Sequence, residues 1–245
     1  MTNEILTIET NREIAKLTYM MTLKGNTGSI INPGQFINIS IEGQFLRRPM
    51  SVSRWDDKGL TIYYRVVGAG TKRMSELGVG SKLDCLVGLG NGFDITKVVG
   101  GKILLIGGSL GVAPLIGLAE ALKSKRIMPH AIIGFNEKDL VFGLQELNEY
   151  CNTVVVTTLD GSLGVKGVVT DAIETDDYSY YFACGSENML RAVHKIPLVG
   201  QLSLEARMGC GFGVCMGCSC KTLYGYKRIC VEGPVFSSTE ISFDI

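Results

Sequence analysis

The sequence predicts a β plus α/β fold in three consecutive parts: an antiparallel β-barrel, a doubly wound parallel-sheet domain, and a small C-terminal cysteine domain. Short alternating apolar runs, separated by turn residues, fill residues 1–100. Apolar strands alternate with helical patterns over residues 101–200. Four closely spaced cysteines lie within residues 201–245. These observations set the expected domain boundaries after residues 100 and 200.

The first part has the pattern of an antiparallel barrel. Predicted strands cover residues 4–10, 12–23, 34–41, 49–54, 60–67 and 82–87. One short helix interrupts them near Thr71, because threonine is a good N-cap and Met74 and Leu77 follow at helical spacing. Glycine and asparagine turns separate the strands, as in small all-β domains.

Two stretches of this part are candidate phosphate-binding elements. Arg47 and Arg48 enter one strand side by side, and a guanidinium group can hold a phosphate or carboxylate with two hydrogen bonds. Residues 63–71 run from a strand through a glycine turn to a helix N-terminus, where free N–H groups attract anions. Each stretch also fits an ordinary strand end or turn. Their presence in one domain favours a bound nucleotide cofactor.

The second part has the order of a doubly wound α/β domain. Predicted strands cover residues 102–106, 131–134, 153–157 and 180–184, and helices run to residue 125 and over 144–150, 167–173 and 187–195. Glycines at 107, 108 and 111 follow the first strand, where the pyrophosphate of a dinucleotide meets a helix N-terminus. The alternative there is a tight β–α turn.

Cys184 and Gly185 end the last strand of this part. Ligands of such sheets bind beyond the carboxyl ends of the strands, which favours a position beside a nicotinamide. The alternative is a small residue that packs at a strand end. No base stands near Cys184 in sequence, so a nucleophilic role is not predicted.

The third part contains a cysteine pattern, C-x4-C-x2-C-x11-C, formed by Cys210, Cys215, Cys218 and Cys230. This is the plant-ferredoxin type of spacing for a 2Fe–2S cluster, which four thiolates hold. Glycines between the first three cysteines let backbone N–H groups approach the cluster. Structural zinc with four thiolates is one alternative, and buried cysteines without metal are another. Cys220 belongs to a predicted strand that leaves the loop and is therefore not counted as a ligand.

Composition narrows the classes of partner. Lys and Arg together number 24, as do Asp and Glu, so the neutral chain offers no electrostatic reason to expect nucleic acid or an anionic membrane. The first residues lack the pattern of a signal peptide, and no apolar run has the length of a membrane span. The eight cysteines are therefore expected to be reduced, and the protein cytoplasmic. The two histidines lie in no constellation, so no catalytic side chain is predicted.

The assembled order resembles the ferredoxin–NADP reductase superfamily and, within it, the family of electron-transfer subunits of dihydroorotate dehydrogenase B. The resemblance covers nearly the whole chain. It is most specific over residues 204–218, 226–230 and 233–236. It implies an FAD-binding barrel over residues 1–100, an NAD-binding domain over 101–200 and a 2Fe–2S domain over 201–245.

The resemblance also implies roles for single residues. The superfamily's flavin motif maps onto Arg48, Pro49, Met50 and Ser51, with Arg48 on the pyrophosphate, Ser51 near flavin N5, and Met50 in place of the usual tyrosine. Tyr63, Tyr64 and Arg65 would lie along the flavin, with Gly70 and Thr71 at its phosphates. The nicotinamide nucleotide would contact Gly107, Gly108, Gly111, Cys184 and Gly185.

By the same resemblance, a catalytic partner subunit with FMN oxidises dihydroorotate to orotate. Electrons then pass through the cluster and FAD to NAD⁺, in a heterotetramer of two subunits of each kind. No arginine cluster follows residues 131–134, which favours NAD over NADP. Apolar Phe212, Val214 and Met216 on the cysteine loop are expected to face the partner, the alternative being inward packing.

Two other hypotheses follow from the same residues. A related flavin and iron–sulfur subunit would serve ferredoxin, sulfide or sulfite chemistry with a different partner. A nucleotide-binding module with structural zinc would carry no redox chemistry, and its purified form would be colourless.

Overall fold

The computed structural model describes residues 1–98 and 100–243, except for the side chain of Asp176. Its first unit is a closed antiparallel barrel with the strand order β1-β2-β5-β4-β3-β6. The strands are β1 (Thr2–Ala15), β2 (Thr18–Lys24), β3 (Phe36–Ile39), β4 (Arg48–Trp55), β5 (Gly59–Arg65) and β6 (Lys82–Leu89). Helix α1 (Ala69–Ser75) follows β5. The predicted barrel is confirmed.

The barrel begins with a hairpin where the sequence predicted a break near residue 11 and one strand over 12–23. The chain instead reverses between β1 and β2, with Leu17 at a φ of 55°. Leucine is an uncommon residue in this conformation, and no glycine, proline or asparagine marks the turn. The predicted strand bounds are wrong here because the usual turn signal is missing.

The second unit is a seven-stranded sheet with the order β10-β9-β8-β7-β11-β12-β15. Its strands are β7 (Ile103–Gly108), β8 (His130–Phe135), β9 (Thr153–Thr158), β10 (Val165–Lys166), β11 (Tyr180–Cys184), β12 (Gly200–Ser203) and β15 (Val235–Ser237). All neighbouring pairs are parallel except β12 with β15. The predicted parallel sheet is confirmed.

Helices cover both faces of this sheet. They are α2 (Val112–Ser124), α3 (Leu144–Tyr150) and α4 (Glu187–His194). Ile103 and Leu105 of β7 pack with α2 and α3, whereas Leu104 and Ile106 pack with α4. Successive side chains of a strand point to opposite faces, so the fully apolar β7 needs a helix layer on each side.

The predicted helix over residues 167–173 is wrong. The structure has only a single 3₁₀ turn, Val169–Ala172. Asp171 accepts a hydrogen bond from the Val168 N–H at 2.8 Å, which closes one turn. The β-branched residues around it disfavour continuation into an α-helix.

The C-terminal segment does not stand apart from the sheet. A hairpin of β13 (Ser219–Thr222) and β14 (Gly225–Arg228) follows the cysteine loop, and β15 then returns to the sheet edge. Strand β12 begins at Gly200, on the expected boundary. The three expected domain ranges stay a prediction.

The barrel and the sheet domain meet closely at α2. A Cβ on Gly117 would lie 1.9 Å from the carbonyl oxygen of Ser53 in β4. The Ser53 hydroxyl donates to the Ala113 carbonyl at 2.6 Å, and Arg54 pairs with Glu120 at 2.8 Å. Among the helices of residues 1–98 and 100–243, none has the length and apolar character needed to cross a bilayer.

Candidate nucleotide and cluster sites

A cavity of about 260 Å³ lies where the barrel and the sheet meet the C-terminal segment that follows β12 and carries the four predicted ligand cysteines. We call this segment the cysteine segment and the cavity the junction cavity. Predicted site residues on its wall are Pro49, Met50, Ser51, Tyr63, Tyr64, Arg65, Thr71 and Cys184. These residues come from β4, β5, α1 and β11, which are distant in sequence. The fold therefore gathers these predicted flavin residues and Cys184 around one space, with Arg48 and Gly70 outside its wall.

Arg48 and Gly70 meet beside this cavity. A Cβ on Gly70 would lie 2.4 Å from Arg48 Nε, so only glycine leaves room for the guanidinium group in this position. Arg48 also donates to Gln44 Oε1 at 2.7 Å. The Thr71 hydroxyl accepts from the Val67 N–H at 2.9 Å and so fixes the turn that leads into α1.

A second cavity of about 410 Å³, the sheet cavity, opens at the carboxyl ends of the sheet strands. Gly108, Gly134 and Thr157 are on its wall. The buried Thr157 hydroxyl has no hydrogen-bond partner within the described residues. A buried polar group without a partner is costly, and a ligand in this cavity would provide one.

The remaining predicted glycines act through close packing. A Cβ on Gly111 would lie 2.1 Å from the Cys184 carbonyl oxygen, and one on Gly185 would lie 2.6 Å from Met189 Cε. Gly107 pairs with Cys184 across β7 and β11, and a Cβ there would lie 3.0 Å from Leu115 Cδ1. Of the predicted glycines in this domain, Gly108 is the one that lines the sheet cavity.

Arg65 lies on the walls of both cavities. Its Nε donates to the Thr18 hydroxyl at 3.3 Å, while its buried Nη2 has no partner within the described residues. Burial lowers the pKa of this guanidinium group, which nevertheless stays charged at neutral pH. A half-buried guanidinium group on both walls, with one nitrogen free to donate, fits an anionic nucleotide.

Cys184 is a buried, neutral thiol. Burial raises its pKa well above the ordinary value, and the nearby charge of Glu205 adds to the effect. Ser203 lies beside it on β12, where the two residues are paired across the strands. The raised pKa keeps this thiol protonated at neutral pH. That no catalytic side chain stands here stays a prediction.

The four predicted ligand cysteines fall into two pairs. Cys215 N–H donates to the Cys210 sulfur at 3.4 Å, and Cys210 N–H donates to the Cys215 sulfur at 3.4 Å. Cys230 N–H donates to the Cys218 sulfur at 3.4 Å. No three Cys, His, Asp or Glu side chains in the described part of the chain converge as ligands of a single ion.

This pairing fits a two-iron cluster better than a mononuclear site. In a 2Fe–2S cluster four thiolates are divided between two irons, whereas structural zinc draws all four to one ion. Val214 N–H also donates to the Cys210 sulfur, at 3.3 Å. Burial opposes ionisation of Cys210, but these backbone hydrogen bonds outweigh it and lower its pKa to about 6.

The two pairs differ in exposure. Cys218 and Cys230 are each 2% exposed and belong to the core, whereas Cys210 is half-buried and Cys215 is exposed. Cys220 lies on β13, as its alternation predicted, and takes no part in either pair. None of the eight cysteines, all of which are described, forms a disulfide.

The cysteine loop is attached to the barrel through Asn38 of β3. Asn38 Nδ2 donates to the Cys210 carbonyl at 2.9 Å. A Cβ on Gly211, which has a φ of 80°, would lie 2.5 Å from the same nitrogen. Asn38 pairs with Pro49, whose ring lines the junction cavity. The cluster site and the junction cavity are therefore joined through one strand pair.

Comparison with known proteins agrees with this geometry. Residues 205–242 match the model of the iron–sulfur cluster binding domain of dihydroorotate dehydrogenase B. The dihydroorotate dehydrogenase B (NAD⁺) electron transfer subunit of Fusobacterium nucleatum is 40% identical, over 98% of this chain and 99% of its own length. The subunit of the same name from Caldanaerobacter subterraneus is 38% identical, over 95% and 96%.

This chain belongs to the family of dihydroorotate dehydrogenase B electron transfer subunits. Solved structures extend the comparison. An NADH-dependent reduced ferredoxin-NADP oxidoreductase, studied for electron bifurcation, superposes with a TM-score of 0.86 at 28% identity, over 98% of this chain and 90% of that one. An Amycolatopsis cytochrome P450 reductase, at 23% identity and a TM-score of 0.68 over 78% and 64%, shares the fold.

The wall of the junction cavity also contains residues that the sequence did not predict as part of a site. Ser203, the last residue of β12, and Glu205 and Met208, which follow it, line the junction cavity. Burial raises the pKa of Glu205. The carboxyl end of β12 was the available signal, because it lies beside that of β11, which in turn lies beside β7. Asn38 had no comparable signal in the sequence.

Proposed function

We propose that this chain takes electrons from an FMN-containing catalytic subunit that oxidises dihydroorotate to orotate, and delivers them to NAD⁺. The complete reaction converts dihydroorotate and NAD⁺ to orotate, NADH and a proton, a step of pyrimidine biosynthesis. Near full-length similarity to electron transfer subunits of this name supports the proposal. The observation that carries it is the junction cavity, because the barrel, the sheet and the cysteine segment all contribute to its wall.

The barrel residues hold FAD in this proposal. Arg48, beside Gly70, binds the diphosphate, and Thr71 keeps the neighbouring turn in place. Pro49, Met50, Ser51, Tyr63 and Tyr64 form the wall for the ring system. Bound FAD exchanges single electrons or a hydride, and a 2Fe–2S cluster carries single electrons.

The sheet domain binds NAD⁺ in the sheet cavity, at the carboxyl ends of its strands. Gly108 allows the backbone to approach the nucleotide, and the Thr157 hydroxyl gains a hydrogen-bond partner. Gly111 lets the turn after β7 approach the Cys184 carbonyl, while Gly107 and Gly185 let α2 and α4 pack closely against the strand ends. Cys184 then stands in the wall of the junction cavity. A nicotinamide ring in the junction cavity would lie between Ser51 and the small Cys184 thiol, which both line its wall.

The cysteine loop provides the docking face for the partner. Phe212, Val214 and Met216 are 43%, 74% and 54% exposed. Apolar side chains clustered on one exposed loop are typical of an interface. We propose that two subunits of each kind form a heterotetramer in the cytoplasm, whose reducing conditions suit eight cysteines that form no disulfide.

The spectrum of the purified chain tests the cofactor assignment. Flavin bands over a broader cluster absorbance, both bleached by dithionite, are expected with about two irons per chain. NADH alone is expected to reduce the flavin. When the partner subunit is added, dihydroorotate is expected to drive NAD⁺ reduction. A colourless protein that contains zinc would contradict the proposal.

A charge placed on the proposed docking face tests the partner. Phe212→Asp is expected to weaken assembly with the FMN subunit while FAD stays bound, because an aspartate cannot be buried without cost in an apolar contact. Val79→Asp is the matched control, since Val79 is also exposed but lies on the turn before β6. Unchanged assembly of Phe212→Asp, measured by size-exclusion chromatography, would contradict this docking face.

A second candidate keeps the cofactors and changes the partner. The TM-score of 0.86 with the ferredoxin-NADP oxidoreductase favours a subunit that exchanges electrons with a ferredoxin-linked flavoprotein. Isolation of the flavoprotein that co-purifies with the chain distinguishes the two. Dihydroorotate-dependent NADH formation by that complex is expected only for the first.

A further inference from the structure

The fourth cysteine, Cys230, lies inside a tight turn that begins at Arg228. The Arg228 carbonyl accepts from the N–H groups of Val231 at 3.1 Å, Glu232 at 2.9 Å and Gly233 at 3.3 Å. The Arg228 N–H in turn donates to Glu232 Oε2 at 2.7 Å. Backbone and carboxylate together define the conformation of this turn, and with it the position of Cys230.

The Arg228 side chain connects this turn to the loop that carries the first two cysteines. Its Nη1 donates to the Gly213 carbonyl at 2.8 Å. Gly213 lies between Cys210 and Cys215, so the guanidinium group joins one cysteine pair to the other. Gly213 has a φ of 93°, and a Cβ there would lie 2.5 Å from Val231 Cγ2. Glycine is required for this close approach.

Glu232 holds the same guanidinium group from the opposite side. Arg228 Nε lies 3.1 Å from Glu232 Oε2, and Arg228 Nη2 contacts Glu232 Oε1. Two parallel hydrogen bonds to one carboxylate fix the plane of the guanidinium group. The free edge then faces the Gly213 carbonyl. Lysine has no such planar fork and would not hold both partners in fixed directions.

We infer that Arg228, oriented by Glu232, is a positioning residue that clamps the outer cysteine pair against the inner pair and sets the electrostatic environment of the cluster. This inference rests on the proposed function, because it presumes that the four thiolates hold a 2Fe–2S cluster. The outer pair needs such a clamp more than the inner pair, since Cys210 and Cys215 lie outside the core.

The clamp makes two separable contributions. Its hydrogen bond to Gly213 holds the loop, and partners of this kind typically change metal affinity by about 10–100-fold when removed. Its positive charge favours the reduced, more negative cluster, whereas Glu232 opposes that effect. Removal of the arginine charge should therefore lower the reduction potential, and removal of the glutamate charge should raise it.

The test uses the full-length protein, purified without oxygen and loaded with FAD. Arg228→Gln is expected to lose its visible cluster absorbance to a chelator about tenfold faster than wild type, with a lower cluster potential. Glu232→Gln is expected to shift the potential in the opposite direction. Arg228→Lys is expected to lose the cluster faster while keeping the potential close to wild type, because it retains the charge without the fork.

Arg191→Gln is the matched control. Arg191 on α4 also pairs with a glutamate four residues away, at 2.7 Å from Glu187 Oε1, and also donates to a backbone carbonyl, that of Phe243. It is expected to leave cluster stability, potential and electron paramagnetic resonance spectrum unchanged. If Arg228→Gln does not fold, Glu232→Gln still tests the electrostatic contribution, because the inference expects that variant to have a higher cluster potential than wild type.

The outcomes separate the inference from the proposed function. A wild-type protein without iron overturns the proposed function, and this inference with it. A wild-type protein with two irons whose Arg228→Gln and Glu232→Gln variants match it in chelation rate and potential overturns the inference alone. The inference is supported if Arg228→Gln loses the cluster faster and has a lower cluster potential, while Glu232→Gln has a higher one.

Discussion

The nucleotide cavities and the cysteine loop are built on different principles. The cavity walls consist of packed strands and helices, with backbone approaches so close that a Cβ on Gly111 would lie 2.1 Å from the Cys184 carbonyl. The outer half of the cysteine loop instead presents Phe212, Val214 and Met216 to solvent. It is held by hydrogen bonds to sulfur, by Asn38 and by Arg228.

This difference shows which parts of the site the fold alone provides. The cavities belong to the same apolar cores that stabilise the sheet and the barrel, so they form when the chain folds. The inner pair, Cys218 and Cys230, shares this property. The outer pair does not, and we expect it to take its final shape only with the cluster bound. A substitution in the packed cavity walls should therefore lower the free energy of unfolding. A substitution in the cysteine loop should instead lower the iron content of the purified protein.

Replacement of a ligand cysteine is expected to have the largest effect. Cys218→Ser should abolish the cluster, because a 2Fe–2S cluster needs four thiolates, while FAD stays bound to the separate junction cavity. Iron, labile sulfide and flavin are counted in the purified variant. Cys220→Ser is the matched control two residues away and should keep two irons. Equal iron loss in both variants would show that Cys220 is a ligand.

Gly117→Ala tests the packed region. The new methyl group would meet the Ser53 carbonyl at 1.9 Å, so α2 and the barrel must move apart. Overpacking of this kind costs about 1–3 kcal/mol in the free energy of unfolding, although alanine is otherwise the better helix former. Gly78→Ala, where the added methyl group meets open space, should change the unfolding midpoint in urea little. A midpoint for Gly117→Ala as high as that of Gly78→Ala would contradict the close contact.

Arg65→Gln tests whether the two cavities share one anion-binding group. Because Arg65 lies on both walls and has a buried, unpaired Nη2, its loss should weaken FAD and NADH binding together. A hydrogen bond to a charged group contributes about 1.5–3 kcal/mol, so a tenfold or greater loss of affinity is expected for each. Fluorescence titration of FAD and NADH measures both.

Arg54→Gln is the control for that variant, since Arg54 pairs with Glu120 and lies on neither cavity wall. It should leave both affinities unchanged. A loss confined to FAD in Arg65→Gln would restrict this residue to the junction cavity.

The sequence predicted the parts of the molecule that depend on local pattern. Cysteine spacing predicted the four ligands, and alternation placed Cys220 on a strand, where β13 has it; the ligand set stays a prediction. Strand alternation predicted both sheets. The motif residues Ser51 and Cys184, far apart in the chain, line one cavity, and the cofactor contacts that the family resemblance implies for them stay a prediction. These features follow from spacing, from strand ends and from glycine turns.

Features that depend on long-range contact were not predictable in this way. Asn38 is a polar residue in the middle of a buried strand, and only the folded chain shows that it reaches Cys210. Nothing in the sequence placed Arg228 against Gly213. The turn at Leu17 lacks turn residues, and the turn at Val169–Ala172 resembles a helix start that does not continue. Tertiary packing decided each of these cases.

Asn38→Ala is expected to have the smallest effect and the most specific one. It removes the hydrogen bond from Nδ2 to the Cys210 carbonyl, which ties the outer cysteine pair to the barrel. A single hydrogen bond of this kind contributes about 1 kcal/mol, so cluster loss to a chelator should accelerate about fivefold, with FAD affinity unchanged. Asn26→Ala, which removes an exposed amide contact to Glu4, is the control and should match wild type. If Asn38→Ala instead lost FAD and the cluster together, the cysteine loop would behave as part of the packed cavity walls. The distinction between the nucleotide cavities and the cysteine loop would then not hold at β3.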